Sequence, residues 1–267
     1  MLSLAMPEGL ERLGALLDEV AERQRQDFGQ LDSEAKADGS LITACDRWSD
    51  ATLVKGLAEL YPGEGVLSEE GSQRVPTTEA YWVVDPLDGT TNFAAGIPYW
   101  AISLARFENG VPVLAVLDVP PLRQRIVAIR GGGAWRKDKK LGAPSARNQV
   151  AGCASLCSRS IGVLQKLPNQ RFPGKIRLLG VASLNLVSVG MGQTISALEA
   201  TPKIWDLAAA WLVLQELNCP VNWLVRDPAQ LQPGEALAQA NFPVLAARDP
   251  QTLATFQPWA DVLVKGA

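Results

Sequence analysis

The chain is organised around Trp82-Val83-Val84-Asp85-Pro86-Leu87-Asp88-Gly89-Thr90-Thr91-Asn92-Phe93. Its first, apolar residues predict a buried strand that ends at Asp85, because Pro86 has no N–H to continue the ladder. Asp88-Gly89 is a turn pair, and the side chains of residues 90–92 are typical of a helix start. A strand, an acidic turn and a helix start therefore bring two carboxylates and several backbone N–H groups to one point.

Two interpretations of this point are open. Carboxylates bind hard cations such as Mg²⁺, and helix N-termini attract phosphate. The alternative is a capping turn, which needs neither a second aspartate nor so many polar groups. The residues favour a metal–phosphate site.

Composition excludes several mechanisms. The chain has 267 residues, 47% of them hydrophobic and 20% charged, which is typical of a globular protein. Its net charge of −3 does not suggest a nucleic-acid partner, which would need a basic surface. The chain contains no histidine, which excludes Ser-His-Asp catalysis, phosphohistidine chemistry and the usual His-containing zinc sites. Catalysis must rely on carboxylates, hydroxyls, amines, thiols or metal ions.

The cellular setting is predicted from two further patterns. Early acidic residues argue against a signal peptide. The uncharged run 178–198 contains polar side chains and glycines, so it predicts a buried helix followed by a strand rather than a membrane span. We expect a cytoplasmic protein without membrane association. The four cysteines have no zinc-type spacing and predict free thiols: Cys45, Cys153, Cys157 and Cys219.

Residues 141–148 are polar and contain a proline, which predicts a boundary between an N-terminal lobe of residues 1–147 and a C-terminal lobe of residues 148–267. Asp206 falls at the N-cap or in the first turn of a very apolar helix, where a capping aspartate is the simplest interpretation.

The other elements are predicted from periodicity and turn signals. In the first lobe we expect an amphipathic helix over 10–21 with Glu, Arg and Gln on its outer face, a second helix beginning at Thr43 or Asp46, and strands at 101–107, 113–119 and 125–129. In the second lobe we expect a helix at 183–191, a strand ending near Glu199, late strands at 221–225 and 242–246, and a closing helix over 253–264.

Four carboxylates then lie at helix starts or strand ends: Glu69, Asp85, Asp88 and Asp206. If they meet in space, they repel one another strongly unless cations are bound. Such a cluster suits metal-assisted hydrolysis of a phosphate ester.

Four segments resemble motifs of the inositol monophosphatase family of Mg²⁺-dependent, lithium-sensitive phosphatases. Asp85–Phe93 resembles its main signature, and Trp205–Ala209 resembles its W-D-x-A-A motif. Ser68-Glu69-Glu70 resembles G-E-E, and the segment from Lys36 to Asp46 resembles an early K-x-D-G pattern that ends in an aspartate. The four matches come in the family's order and span most of the chain.

The resemblance implies a binding set for two to three Mg²⁺ ions. The first ion would be held by Glu69, Asp85 and the carbonyl of Leu87. The second would be held by Asp85, Asp88 and Asp206. A third, more weakly held ion would share Glu69.

The resemblance also implies catalytic and substrate-binding roles. Thr90 and Glu69 would activate the attacking water, with Asp46 and Thr43 behind them and Lys36 on the phosphate side. The remaining residues implied at the substrate are the N–H groups of Gly89 and Thr90 for phosphate, Glu199 for hydroxyl groups, and Gly180 and Ala182 as pocket lining.

Two departures from the family pattern concern the neighbourhood of the site. Ser68 replaces the usual glycine before the glutamates, which tightens that loop but leaves the metal ligand in place. Val181 replaces a residue that often carries a hydroxyl group, so one polar contact to the substrate is lost.

The implied fold is a mixed α/β, layered α-β-α-β-α sandwich of the sugar-phosphatase type, with the site between two lobes and with a homodimer as the assembly. The implied substrate is a small phosphorylated metabolite, inositol monophosphate or a similar polyol phosphate.

Several alternatives remain at this stage. Histidinol phosphate and sugar bisphosphates are other substrates within the family, and a non-catalytic metal-binding scaffold is a different class. Thr91-Asn92 argues against the nucleotide bisphosphatases, which usually carry Lys-Glu there. A haloacid-dehalogenase-type phosphatase needs carboxylates two residues apart, whereas Asp85 and Asp88 are three apart.

Overall fold

In the described part of the chain, two multi-stranded β-sheets alternate with three layers of helices, and two further short strands form a separate pair. The structure, a computed structural model, describes residues 8–36, 39, 41–144 and 152–265. Asp38 and Ser40 of the early motif therefore lie outside the described residues. The α-helices in the described part are α1 (Glu8–Asp27), α2 (Ala44–Leu60), α3 (Thr90–Ala94), α4 (Val163–Lys166), α5 (Ala182–Gly190), α6 (Ile204–Glu216) and α7 (Pro250–Val264).

The strands fall into a larger sheet, a smaller sheet and a separate two-stranded pair. The pair comprises β1 (Ser33–Ala35) and β2 (Leu41–Thr43). The larger sheet has the order of the chain and comprises β3 (Gly65–Ser68), β4 (Ala80–Asp88), β5 (Ala101–Glu108), β6 (Val111–Val119), β7 (Gln124–Ile129), β8 (Gly133–Arg136) and β9 (Lys139–Lys140). The smaller sheet has the order β11-β10-β12-β14-β13, with β10 (Cys153–Leu156), β11 (Lys175–Arg177), β12 (Ser196–Glu199), β13 (Val221–Trp223) and β14 (Val244–Ala247).

The helices complete the layered α-β-α-β-α arrangement that the resemblance implied, so the predicted fold class is confirmed. Helices α1 and α2 cover one face of the larger sheet, and α5 and α6 lie between the two sheets. Helices α4 and α7 cover the outer face of the smaller sheet. In α6, ten of the thirteen residues are buried. This helix is apolar on nearly all of its faces, so it must lie in the interior, where other elements pack around it.

The end of β4 differs from the prediction. The strand does not end at Asp85 but continues through Pro86 to Asp88. The register with β5 shifts between Asp85 and Asp88, so Pro86 and Leu87 have no paired residue on that strand. A bulge is one of the few places where a proline fits in a sheet, because no ladder bond is lost there.

Helix α1 is amphipathic as expected, and its apolar residues face the larger sheet and α2. The prediction placed Glu, Arg and Gln on the outer face without naming residues. Gln24 is an exception to that pattern, since it is completely buried.

The division into two lobes stays a prediction. Residues 145–151, which include most of the expected boundary, lie outside the described residues. Helix α6 comes from the second half of the chain, yet it packs against strands of the larger sheet, which the first half supplies. Within the part of the chain that the structure describes, no helix has the length and apolar character needed to cross a bilayer.

Candidate active site

The bulge in β4 gives Asp85 and Asp88 a common direction toward the interior. Both are buried, and Asp85 Oδ1 accepts a hydrogen bond from the Leu87 N–H at 3.0 Å. Among the described residues, no donor reaches Asp85 Oδ2. Asp88 accepts hydrogen bonds from the backbone N–H of Ser183 at 2.7 Å and of Ala182 at 3.4 Å. The first turn of α5 therefore fixes Asp88 from the second half of the chain.

Asp206 joins these two residues from α6. It lies in the first turn of the helix, as predicted, and its Oδ2 accepts a hydrogen bond from the Lys203 N–H at 2.8 Å. The capping interpretation is therefore correct but incomplete. Asp85, Asp88 and Asp206 each place one carboxylate oxygen within 4.8 Å of those of the other two.

The electrostatics of this triad suit a divalent cation. Burial raises the pKa of Asp85 and Asp206 well above the usual value, and repulsion from neighbouring carboxylates raises it further. Burial also raises the pKa of Asp88, although its hydrogen bonds to Ser183 oppose this. Three carboxylates that repel one another, of which Asp85 and Asp88 are buried and Asp206 is partly exposed, form a set of hard oxygen ligands. These residues fit a bound Mg²⁺.

Glu69 lies beside the triad, on the loop after β3. Its Oε1 accepts a hydrogen bond from Lys36 Nζ at 2.9 Å, and the same ammonium also pairs with Glu70. Burial raises the pKa of Glu69, and Lys36 opposes that rise. Burial lowers the pKa of Lys36, but the two carboxylates outweigh it, so the net pKa is raised. Lys36 therefore lies on the Glu69 side of the site as a charged partner of both glutamates.

Thr90, Asp46 and Thr43 form a hydrogen-bonded chain. Thr90 Oγ1 donates to Asp46 Oδ1 at 2.8 Å. The other carboxylate oxygen of Asp46 accepts from the backbone N–H of Thr43 at 2.8 Å and from its hydroxyl at 2.5 Å. Thr43 is the N-cap of α2 and Asp46 completes its capping box, so the start of a helix fixes the orientation of Thr90.

A cavity of about 470 Å³ opens above Asp88 and Asp206. Glu199, at the end of β12, lines it and accepts a hydrogen bond from Asn185 Nδ2 at 2.8 Å. Burial raises the pKa of Glu199 to about 8. Arg159 also lines the cavity and donates to the Thr201 hydroxyl at 2.9 Å.

The segment before α5 lies against the main motif. Gly180 has a φ of +75°, and a Cβ there would come within 3.1 Å of Asn92 Oδ1. Asn92 Nδ2 donates to the carbonyls of Leu179 and Tyr99, so it ties this segment to α3. Val181 is completely buried and faces Gly89, so its side chain fills space behind the motif.

The structure therefore brings every sequence-predicted position into one region. Gly89 and Thr90 form the junction between β4 and α3, with Gly180 and Ala182 across from it. Asn185 and Arg159 are among the residues of this region that were not predicted from the sequence. Asn185, a polar residue in the apolar run of α5, was a detectable signal, whereas nothing local distinguishes Arg159.

Comparison with known proteins places the chain in a family. The model of the inositol monophosphatase family matches residues 6–252. The chain therefore belongs to this family, and it is a phosphoric monoester hydrolase.

Curated relatives carry different names. A histidinol-phosphatase of Mycobacterium tuberculosis is 35% identical, over 76% of this chain and 82% of its own. A putative Nus factor SuhB of Neisseria meningitidis serogroup B is 33% identical, over 82% and 87% respectively. An inositol-1-monophosphatase of Mesorhizobium japonicum is 32% identical, over 80% and 84%. Similar identities with differently named relatives leave the substrate open.

Solved structures agree with the fold. An IMPase of Thermotoga maritima has a TM-score of 0.79, with 95% of this chain and 98% of that chain covered. At 24% identity, this match supports the fold alone.

Proposed function

We propose that this protein is a Mg²⁺-dependent phosphatase that hydrolyses a small polyol monophosphate, with inositol monophosphate as the first candidate. The observation that carries the proposal is the cluster of Asp85, Asp88 and Asp206, the last two of which line a cavity together with Glu199. Metal ions bound to the carboxylates would neutralise the charge of the phosphate during water attack, and the cavity wall would bind the hydroxyl groups of the substrate.

The metal ligands would be the residues expected from the sequence. Asp85, Asp88 and Asp206 would bind one ion, while Asp85, Glu69 and the Leu87 carbonyl would bind another. Bound Mg²⁺ supplies positive charge to the phosphate and lowers the pKa of the nucleophilic water. A total of two to three ions stays a prediction.

Thr90 would orient the attacking water. The Thr90 hydroxyl donates to Asp46 Oδ1 and lies 3.2 Å from the Leu87 carbonyl, so the lone pairs of Thr90 Oγ1 are available to accept a hydrogen bond from the attacking water. As the water attacks phosphorus, its proton would pass to Thr90 Oγ1 while the Thr90 proton passes to the Asp46 carboxylate, which the Thr43 N–H holds in place. Glu69, whose Oε1 accepts a hydrogen bond from Lys36, would assist from the other side.

The phosphate would lie at the start of α3, against the N–H groups of Gly89 and Thr90. The substrate hydroxyls would then face Glu199 and Asn185. A Glu199 with a pKa of about 8 is mostly protonated at pH 7, so it can both donate and accept hydrogen bonds. Asn185 itself is buried, and its Nδ2 group holds the Glu199 carboxyl in place at this wall.

Histidinol phosphate is a second candidate substrate, and the cavity wall at Glu199 also suits it. Histidinol phosphate carries an ammonium group, which would meet Glu199 at the cavity wall and favour the ionised form of that carboxyl group. The relative named histidinol-phosphatase is among the most identical of the relatives above.

Phosphate release from a substrate panel tests the proposal. The panel contains inositol monophosphate, histidinol phosphate and a sugar bisphosphate, each with Mg²⁺ and with EDTA. We expect Mg²⁺-dependent release, fastest on a monophosphate, and inhibition by tens of millimolar Li⁺, as the family resemblance implies. No turnover on any substrate by folded, metal-bound protein would favour a non-catalytic scaffold instead.

A further inference from the structure

Gln24 of α1 makes three hydrogen bonds inside the protein. Its Nε2 donates to the Pro86 carbonyl at 2.8 Å and to Ser49 Oγ at 3.1 Å. Its Oε1 accepts from Trp100 Nε1 at 2.9 Å. The side chain is completely buried, and so is Ser49. All of the hydrogen-bonding groups of this amide except one lone pair are therefore used.

Two of the three partners, Pro86 and Trp100, lie at the bulge that directs the carboxylates, and the third, Ser49, lies on α2. Pro86 lies between Asp85 and Asp88, where the register with β5 shifts and the ladder leaves its carbonyl without a partner strand. Trp100 immediately precedes Ala101, and Ala101 is paired with Asp88. Gln24 thus contacts β4 within the bulge and the chain at the start of β5.

A bulge of this kind needs an external hydrogen-bond donor. A buried carbonyl without a donor is destabilising, and the peptide could rotate to find another partner. The peptide that carries the Pro86 carbonyl also carries the Leu87 N–H, which donates to Asp85 Oδ1 at 3.0 Å, so its rotation would break the hydrogen bond that orients Asp85. The amide of Gln24 opposes this rotation, and it does so without adding a charge near the triad.

We infer that Gln24 is a positioning residue for the metal-binding carboxylates, acting through the Pro86 carbonyl. The inference rests on the proposed Mg²⁺-dependent function and assigns a role to a helix that supplies no ligand. Its specific consequence is that loss of the Gln24–Pro86 bond weakens Mg²⁺ binding more than it weakens folding.

The test compares Gln24→Met with Ser49→Ala. Gln24→Met keeps the approximate volume and removes the donor to Pro86. Ser49→Ala removes the other acceptor of the same Nε2 and leaves Pro86 untouched. Gln24→Asn, whose amide is one methylene shorter, serves as a second variant with less loss of polarity. Mg²⁺ affinity is measured by calorimetric titration without substrate, and Tm is measured on the same metal-free samples.

We expect about tenfold weaker Mg²⁺ binding in both Gln24 variants, the size typical of lost support behind a metal ligand. Ser49→Ala should bind Mg²⁺ within about twofold of the unsubstituted protein even where its Tm falls. Unchanged affinity in folded Gln24→Met and Gln24→Asn, or an equal loss in Ser49→Ala, would overturn the inference alone. Absence of Mg²⁺ binding by the unsubstituted protein would overturn the proposed function together with the inference.

Discussion

Substitution of Asp88 is expected to lower the activity of the protein and, without metal, to raise its stability. Asp88→Asn removes one negative metal ligand but retains an oxygen that can accept from the Ser183 N–H. We expect the turnover number to fall by about a hundredfold or more. Without metal, the variant should be more stable at pH 8, by about 1 kcal/mol, because one buried repulsive charge is gone.

Phosphate release and urea unfolding in EDTA measure the two effects of this substitution. A matched control is Asp261→Asn on α7, a surface aspartate far along the chain from the site. Near-normal turnover in Asp88→Asn would contradict its assignment as a metal ligand.

Ser68 is a second residue whose effect can be predicted. It is buried, and its hydroxyl accepts a hydrogen bond from the Gly71 N–H at 3.1 Å. The hydroxyl therefore closes the loop that carries Glu69, which agrees with the tightening expected from the sequence. Ser68→Gly should lower the free energy of unfolding by about 1–2 kcal/mol, from the lost bond and the added chain entropy.

The control for Ser68→Gly is Ser72→Ala. Ser72 is exposed, and it bonds to Ser68 only through its backbone carbonyl, which the substitution retains. Chemical unfolding should give a clearly lower free energy of unfolding for Ser68→Gly than for Ser72→Ala. If Ser68→Gly proved as stable as Ser72→Ala, the hydroxyl would have no measurable structural role.

At the scale of elements, the junction between β4 and α3 depends on Gly89. Its φ is +105°, and a Cβ there would come within 2.8 Å of Val181 Cγ2 and 3.3 Å of Trp100 Cβ. We expect Gly89→Ala to lower the free energy of unfolding by about 2–3 kcal/mol, since backbone strain and a contact that is too short both contribute.

Gly96→Ala is the matched control for this junction. Gly96 also has a positive φ, of +73°, but a Cβ there meets nothing within 4 Å. It should cost about 1 kcal/mol from backbone strain alone. Equal losses of stability in the two variants, measured by urea unfolding, would show that the Val181 contact has no effect.

The elements also show what the sequence could and could not predict. The strands β5 to β7 and the helices α5 and α6 were predicted within a few residues, because their apolar periodicity is local. The end of β4 and the burial of Gln24 were not, since both depend on partners more than 60 residues away along the chain. Periodicity identifies the apolar face of a helix but does not reveal which polar side chain a distant carbonyl requires.

For the candidate site, too, local features could be predicted from the sequence and features that depend on distant contacts could not. The carboxylates were found individually because each lies at an abrupt change from apolar to acidic sequence. Their meeting is a tertiary fact, since Asp206 reaches Asp85 and Asp88 only because α6 packs on the larger sheet. Asn185 was missed although a polar residue in an apolar helix is a local signal for a buried hydrogen bond.

At the scale of the whole molecule, the buried acids make stability depend on both pH and metal. The pKa values of Asp85, Asp88 and Asp206 are raised by burial, and that of Glu199 is raised to about 8. Between the ordinary carboxyl pKa near 4 and these raised values, the folded state binds more protons than the unfolded state. Stability of the metal-free protein should therefore fall as pH rises from about 4.5 to 8.

Bound Mg²⁺ should reverse most of this fall. Mg²⁺ binds the ionised carboxylates of the folded state, so its stabilising effect grows with pH and with concentration, reaching about 2.7 kcal/mol at a hundred times the dissociation constant. Tm measured at pH 5 and pH 8, in EDTA and in Mg²⁺, checks this expectation. At pH 5 the two Tm values should nearly coincide, and at pH 8 the Mg²⁺ sample should melt several degrees higher. Metal-free stability that stays level or rises over this interval would mean that the acids are ionised and compensated within the protein, which the geometry of the triad does not provide.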